Sequence, residues 1–229
     1  MSTSILFIGK KDDFFCEQAK SFVDTHFQES SILLGSRGDN FPDEFRHWKG
    51  DYIVSYLSPW IIPEYMLERT NGAAINFHPG PPKYPGIGCT NFALYNGEER
   101  FGVTCHHMDP QPDTGDIIAT KKFDIQESDT VYSLTQRCYA HILSLFYDIG
   151  HKILNKENLP DSEEDWKRKP YTREELNELC EVSPEMSTEE IKRRVRAVTF
   201  PDAPGAYIDI DGMRFTYEKE KSEHPIPPA

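Results

Sequence analysis

The sequence predicts an α/β protein: a Rossmann-like, mostly parallel sheet followed by a small C-terminal element of helix and β-hairpin. Three observations carry this. Four short apolar runs, 5–8, 31–34, 52–56 and 74–77, lack polar alternation and so suit strands buried on both faces. The polar stretches between them hold helical spacing, as in Phe15, Ala19 and Phe22, which makes the pattern βαβ. Near the C-terminus, AYIDIDGMRFTYEK alternates around Asp211-Gly212, the composition of a tight hairpin turn.

The first run ends at Gly9 and continues as GKKDDF. It lacks the long apolar stretch and small-residue cleavage site of a secretory leader, so it reads as a core strand. It also lacks GxGxxG, which removes the fingerprint a dinucleotide-dependent dehydrogenase needs here. Lys10 and Lys11 either begin a solvated loop or reach an anionic ligand over the carboxyl edge of the sheet.

Further along, 102–107 and 115–123 read as strands separated by a loop rich in Pro and Asp. A long helix is expected over 128–154, because Leu134, Cys138, Ile142, Leu145, Ile149 and Ile153 fall on one stripe, with Asp129 and Thr130 as capping oxygens. The polar, charged stretch 155–173 reads as a linker leaving the main domain. Ser187 and Glu190 have capping-box spacing before the basic helix STEEIKRRVRAVTF, and the tail SEHPIPPA is expected to fray. The chain therefore divides into a domain over 1–155 and a linker, short helices and hairpin over 156–229.

A formal net charge of −13 gives a field that repels polyanions, which argues against tRNA or DNA as a partner. A small anionic ligand needs only a few local cations and stays open. No apolar run approaches the roughly 20 residues of a membrane span. Five scattered cysteines without CxxC or Cys/His ligand spacing fit a reducing compartment, here the cytoplasm, and imply no metal.

Chemistry concentrates in two stretches. In AAINFHPGPPKYPGIG a strand runs into a Pro/Gly turn, the place beyond a strand's carboxyl end where sites form. Asn76 and His78 lie two apart in extended chain and point to the same side, and Pro79 keeps His78 extended. An amide NH2 beside an imidazole can donate to an oxygen gaining charge and accept an amine proton. In FGVTCHHMDPQPDTGDII, Asp109, Asp113 and Asp116 share a loop, and a carboxylate near His78 would favour the imidazolium and orient its ring. Taken singly, an Asn-x-His pair can merely satisfy backbone groups, and loop aspartates are ordinary turn residues. His106 and His107 face opposite sides, so at most one faces the site.

Together the two stretches resemble the formyltransferase family that uses 10-formyltetrahydrofolate. The resemblance rests on Asn76-Phe77-His78-Pro79 and its turn, then Gly102-Val103-Thr104, His106 and Asp113-Thr114-Gly115 with Ile117-Ile118. It covers roughly residues 1–155 and implies a formyltransferase fold in which Asn76, His78 and Asp113 are catalytic. It also implies N10-formyltetrahydrofolate as cosubstrate, without a metal, held by Ser58, Pro59, Trp60, Ile61, Met108, Asp109 and Asp113. His106 matches a family histidine of either structural or catalytic role.

The turn and the C-terminal segment further resemble sugar N-formyltransferases acting on nucleotide-linked amino sugars. That subgroup implies a dTDP- or GDP-linked acceptor, with dTDP-4-amino-4,6-dideoxyglucose favoured, a role in O-antigen-type surface polysaccharide synthesis, and a homodimer through the C-terminal region. Arg196, Phe200 and Tyr207 would grip the diphosphate and base, and Lys83 and Tyr84 would flank the catalytic turn. A solvated helix face remains open for Arg193 and Arg196, hairpin packing for Tyr207, and subunit contact for the region. The alternatives are another small amine such as glycinamide ribonucleotide, a folate hydrolase, or a non-catalytic nucleotide-sugar or folate binder.

Overall fold

The structure, a computed structural model, describes residues 2–201, 203 and 205–218; the tail expected to fray, 222–229, lies outside the described residues. A six-stranded sheet has the order β2-β1-β3-β4-β5-β6. Strands β1 (Ser4–Lys10), β2 (Glu29–Gly35), β3 (Tyr52–Tyr56) and β4 (Ala73–His78) are mutually parallel. The strands β5 (Arg100–His107) and β6 (Ile117–Asp124) add antiparallel at one side. The mostly parallel α/β expectation thus holds.

Both faces of the parallel strands are buried, which is why their sequences do not alternate in polarity. Ile5, Phe7, Val54 and Ile75 enter one cluster, beneath helices α1 (Phe14–His26) and α4 (Val131–Leu154). Leu6, Ile8 and Ile53 enter a second, capped by Met66 of the short helix α2 (Glu64–Leu67) and by Phe45 of a 3-10 turn at Asp43–His47. The six stripe residues of α4 are all buried, and Thr130 caps the helix by accepting from the Ser133 N–H. Asp129 accepts from the Ser133 hydroxyl and pairs with Arg137, so it secures the same first turn.

The segment 155–173 differs from its expected course. It does not leave the sheet but returns across it: Ser162 N–H donates to Ile117 O, Lys167 N–H to Pro82 O and Tyr171 N–H to Pro85 O. Tyr171 stacks on Phe92 of α3 (Cys89–Tyr95), with ring centroids 3.8 Å apart. These contacts are far apart in sequence, so a charged composition gave no sign of them. Helices α5 (Arg173–Cys180) and α6 (Thr188–Val198) then bring Leu179, Ala197 and Val198 into the buried cluster beneath α1 and α4.

Ser187 caps α6, but only half of the expected box forms, because Glu190 turns to Arg194, Arg193 and Tyr95. The hairpin pairs β7 (Tyr207–Ile210) with β8 (Met213–Thr216) around Asp211 and Gly212, both at positive φ. One face carries Ile210, Met213 and Phe215, each about half exposed.

Candidate active site

The site is built where the carboxyl end of β4 meets β5. Asn76 is the cross-strand partner of His106, and its Nδ2 lies 3.0 Å from His106 Nε2. A register irregularity between Cys105 and His106 lies directly beside this pair. The other ring nitrogen, Nδ1, lies 2.7 Å from the His107 carbonyl, which can only accept. His106 is therefore the Nδ1–H tautomer when neutral, leaving Nε2 to accept from the Asn76 amide.

Two residues on, His78 is buried at the start of the Pro/Gly turn. Its Nε2 lies 2.9 Å from the Tyr84 carbonyl and its Nδ1 3.2 Å from Asp113 Oδ2. The Tyr84 carbonyl is presented by the turn that Tyr84 N–H closes on Pro81 O. A Cβ at Gly80 would sit 2.7 Å from His78 Nε2, so that position admits only glycine beside this ring.

Asp113 arrives from the β5–β6 loop with a φ of 52°, a left-handed conformation that Asp tolerates better than most residues. Its carboxylate is almost fully buried: Oδ2 accepts from Gly86 N–H at 2.8 Å and faces His78, while Oδ1 lies 3.2 Å from His106 Nε2. Burial alone would raise its pKa, but the nearby His78, the hydrogen bond and charge of His106 and the Gly86 N–H outweigh it and hold it down at about 2. Asn76 Nδ2 is 3.5 Å from Oδ1, at the limit of a hydrogen bond, so that N–H is the one most readily given to another acceptor. Cys89 stands nearby, donating to Pro79 O, but burial pushes its thiol up to about 12 and it is no nucleophile.

This network forms one wall of a cleft of about 350 Å³. The segment after β3 also lines it, so the cleft brings together Asn76, His78, Asp113, Ser58, Pro59, Trp60, Ile61, Met108 and Asp109. All of the proposed catalytic and folate-binding residues therefore share one cavity. Its lining mixes apolar side chains with Ser55, Ser58, Asn76 and Gln111, a set of donors and acceptors that suits a flat, polar-edged heterocycle such as a pterin. Trp60 also packs back on β2, its indole N–H donating to Asp39 O.

The expected acceptor residues are not assembled here. Tyr84 is corrected outright: it is 1% exposed, and its hydroxyl is held by Glu98 and Asn96. The turn at Pro81 swings this ring inward, where it packs with Phe101 and Tyr171. Lys83 is exposed and paired with Glu98. Arg196 donates to the carbonyls of Glu127 and Asp129, Phe200 packs on Tyr132, and Tyr207 lies under Arg214. None of these lines the cleft. Residues that spacing marks weakly or not at all stand here too: Lys10, Tyr139 and His106 line the cleft, and Trp166, a lone aromatic in a charged stretch, packs edge-on against His78 and His106. Among the described residues, no group of three or more His, Cys, Asp or Glu is placed to hold a metal ion.

The chain belongs to the formyl transferase family, whose model matches residues 6–145. Among relatives, the GDP-perosamine N-formyltransferase of Brucella melitensis is 30% identical over 163 residues, 71% of this chain and 62% of that protein's length. In fold, the chain matches a likely sugar N-formyltransferase of Mycobacterium tuberculosis with a TM-score of 0.75 at 19% identity, covering 96% of this chain and 99% of the other. It also matches an N-formyltransferase of Helicobacter canadensis, solved with folinic acid and dTDP-3-aminofucose, with a TM-score of 0.71 at 20% identity, covering 92% and 85%.

Proposed function

We propose that the protein is a sugar N-formyltransferase, moving a formyl group from N10-formyltetrahydrofolate to the amine of a nucleotide-linked amino sugar. The observation that carries this is the convergence of Asn76, His78 and Asp113 on one cleft that residues 58–61 also line. The named activity of the Brucella relative and the ligands of the Helicobacter protein support the acceptor class. The net charge of −13 disfavours a tRNA acceptor.

Transfer of a formyl group to an amine needs a donor to an oxygen gaining charge and an acceptor for the proton the amine loses. The folate would supply the activated formyl group. The Asn76 amide, loosely engaged by Asp113, serves as the donor. His78, oriented by the Tyr84 carbonyl and Asp113, would take the amine proton and pass it, directly or through water, to the folate N10 as the bond from N10 to the formyl carbon breaks. Asp113, its pKa held down at about 2, is the anion beside which the imidazolium would form.

Within this reading we favour dTDP-4-amino-4,6-dideoxyglucose as acceptor, O-antigen-type polysaccharide as destination and the cytoplasm as location, in keeping with five free cysteines. The half-exposed apolar face of the hairpin suits a homodimer contact. The test incubates protein and 10-formyltetrahydrofolate with that sugar, GDP-perosamine and dTDP-3-aminofucose, reading product mass for one added formyl. Gain on any one supports the class and identifies the acceptor; formate release without gain on any sugar contradicts it.

A further inference from the structure

We propose that Trp166 is a positioning residue for the His78–Asp113–His106 network, and that the segment carrying it completes the site from outside the matched family region. This rests on the functional reading above for its kinetic consequence, but not for its structural one. The indole meets both histidines edge-on, with centroids 5.8 Å from His78 and 5.1 Å from His106 and interplanar angles of 76° and 85°. These are the two rings that flank the two oxygens of Asp113. One aromatic side chain therefore touches both sides of the network.

The indole is itself fixed. Its Nε1–H donates to Gly115 O at 2.8 Å, two residues beyond Asp113. The next residue, Lys167, donates from its backbone to Pro82 O, and Tyr171 forms a two-way backbone pairing with the turn, receiving from Ile87 N–H and donating to Pro85 O. The segment thus stitches together the turn that carries His78 and the loop that carries Asp113, which nothing in local sequence holds in register. Histidine χ2 is a soft torsion, and the polar partners at the two nitrogens of each ring still leave it free to rock about the line that joins them. An edge-to-face neighbour removes that freedom and keeps water from the ring N–H groups.

The test uses W166F, which keeps an aromatic edge, and W166L, which fills space without one. In the wild type the Nε2–H of His78 and the Nδ1–H of His106 should exchange slowly with water and be visible in nitrogen-edited spectra. W166F keeps both protons and kcat within about threefold of wild type. W166L loses both while backbone amides of β4 and β5 stay protected, and kcat falls about tenfold with KM for donor and acceptor within about twofold. Folded W166L that keeps both protons and wild-type kcat overturns the proposal, as does W166F that loses both protons; should W166L not fold, W166F decides. If wild type formylates no sugar, the functional reading fails while the imidazole protons still decide the role of Trp166.

Discussion

Asp113 and Gly86, 27 residues apart, are joined by a hydrogen bond of 2.8 Å from the glycine N–H to carboxylate Oδ2. Gly86 has a φ of 86°, and a Cβ there would lie 2.4 Å from the backbone N and O of Tyr171. Only glycine fits between the carboxylate and the returning segment.

Replacing it tests that closeness. G86A should cost about 2 kcal/mol or more in urea unfolding, through both the left-handed backbone and the clash. It should also lower turnover by releasing Asp113. A G86A protein of wild-type stability would show that the segment moves aside freely.

The carboxyl of Asp113 has a definite pH signature. Held at about 2 against an ordinary 3.8, it adds stability that is fully present above the unfolded value and is lost as pH falls through the folded one. Unfolding free energies of wild type and D113N should therefore differ most above pH 3.8, the gap narrowing by roughly 2 kcal/mol toward pH 2. A constant gap would mean that the carboxylate is not held by His78 and His106.

Tyr84 should behave as a structural residue. Y84F removes a hydroxyl that donates to Glu98 and accepts from Asn96, and should lose about 1–2 kcal/mol of stability. Acceptor KM should not change. A raised KM with unchanged stability would restore Tyr84 to the acceptor site.

Tyr56, at the end of β3, presents the opposite case. Its hydroxyl is, among the described residues, the one buried side-chain polar atom without a hydrogen-bond partner. Y56F should therefore be neutral or gain up to about 1 kcal/mol, read from the urea midpoint. A clear loss would reveal a partner for that oxygen, such as a bound water.

What the sequence made legible is what local periodicity encodes. Leu6 and Phe7 are apolar in succession because opposite faces of β1 are both covered, and Asn76 and His78 share a side because a strand repeats every second residue. The α4 stripe and the Asp211-Gly212 turn are equally local. What stayed hidden depends on pairing across the chain. Nothing near Trp166 says that it meets His78, and nothing near Tyr84 says that Pro81 turns it toward Phe101. The capping box of Thr172 and Glu175 on α5 was readable, but its charged surroundings resembled a linker.

The most direct measurement is single-turnover formyl transfer by N76A, H78A and D113A, with acceptor affinity measured in parallel. Turnover should fall about a hundredfold or more in each, with acceptor Kd within about threefold of wild type. Near-normal turnover in all three folded variants would contradict the assignment of this network as the catalytic centre.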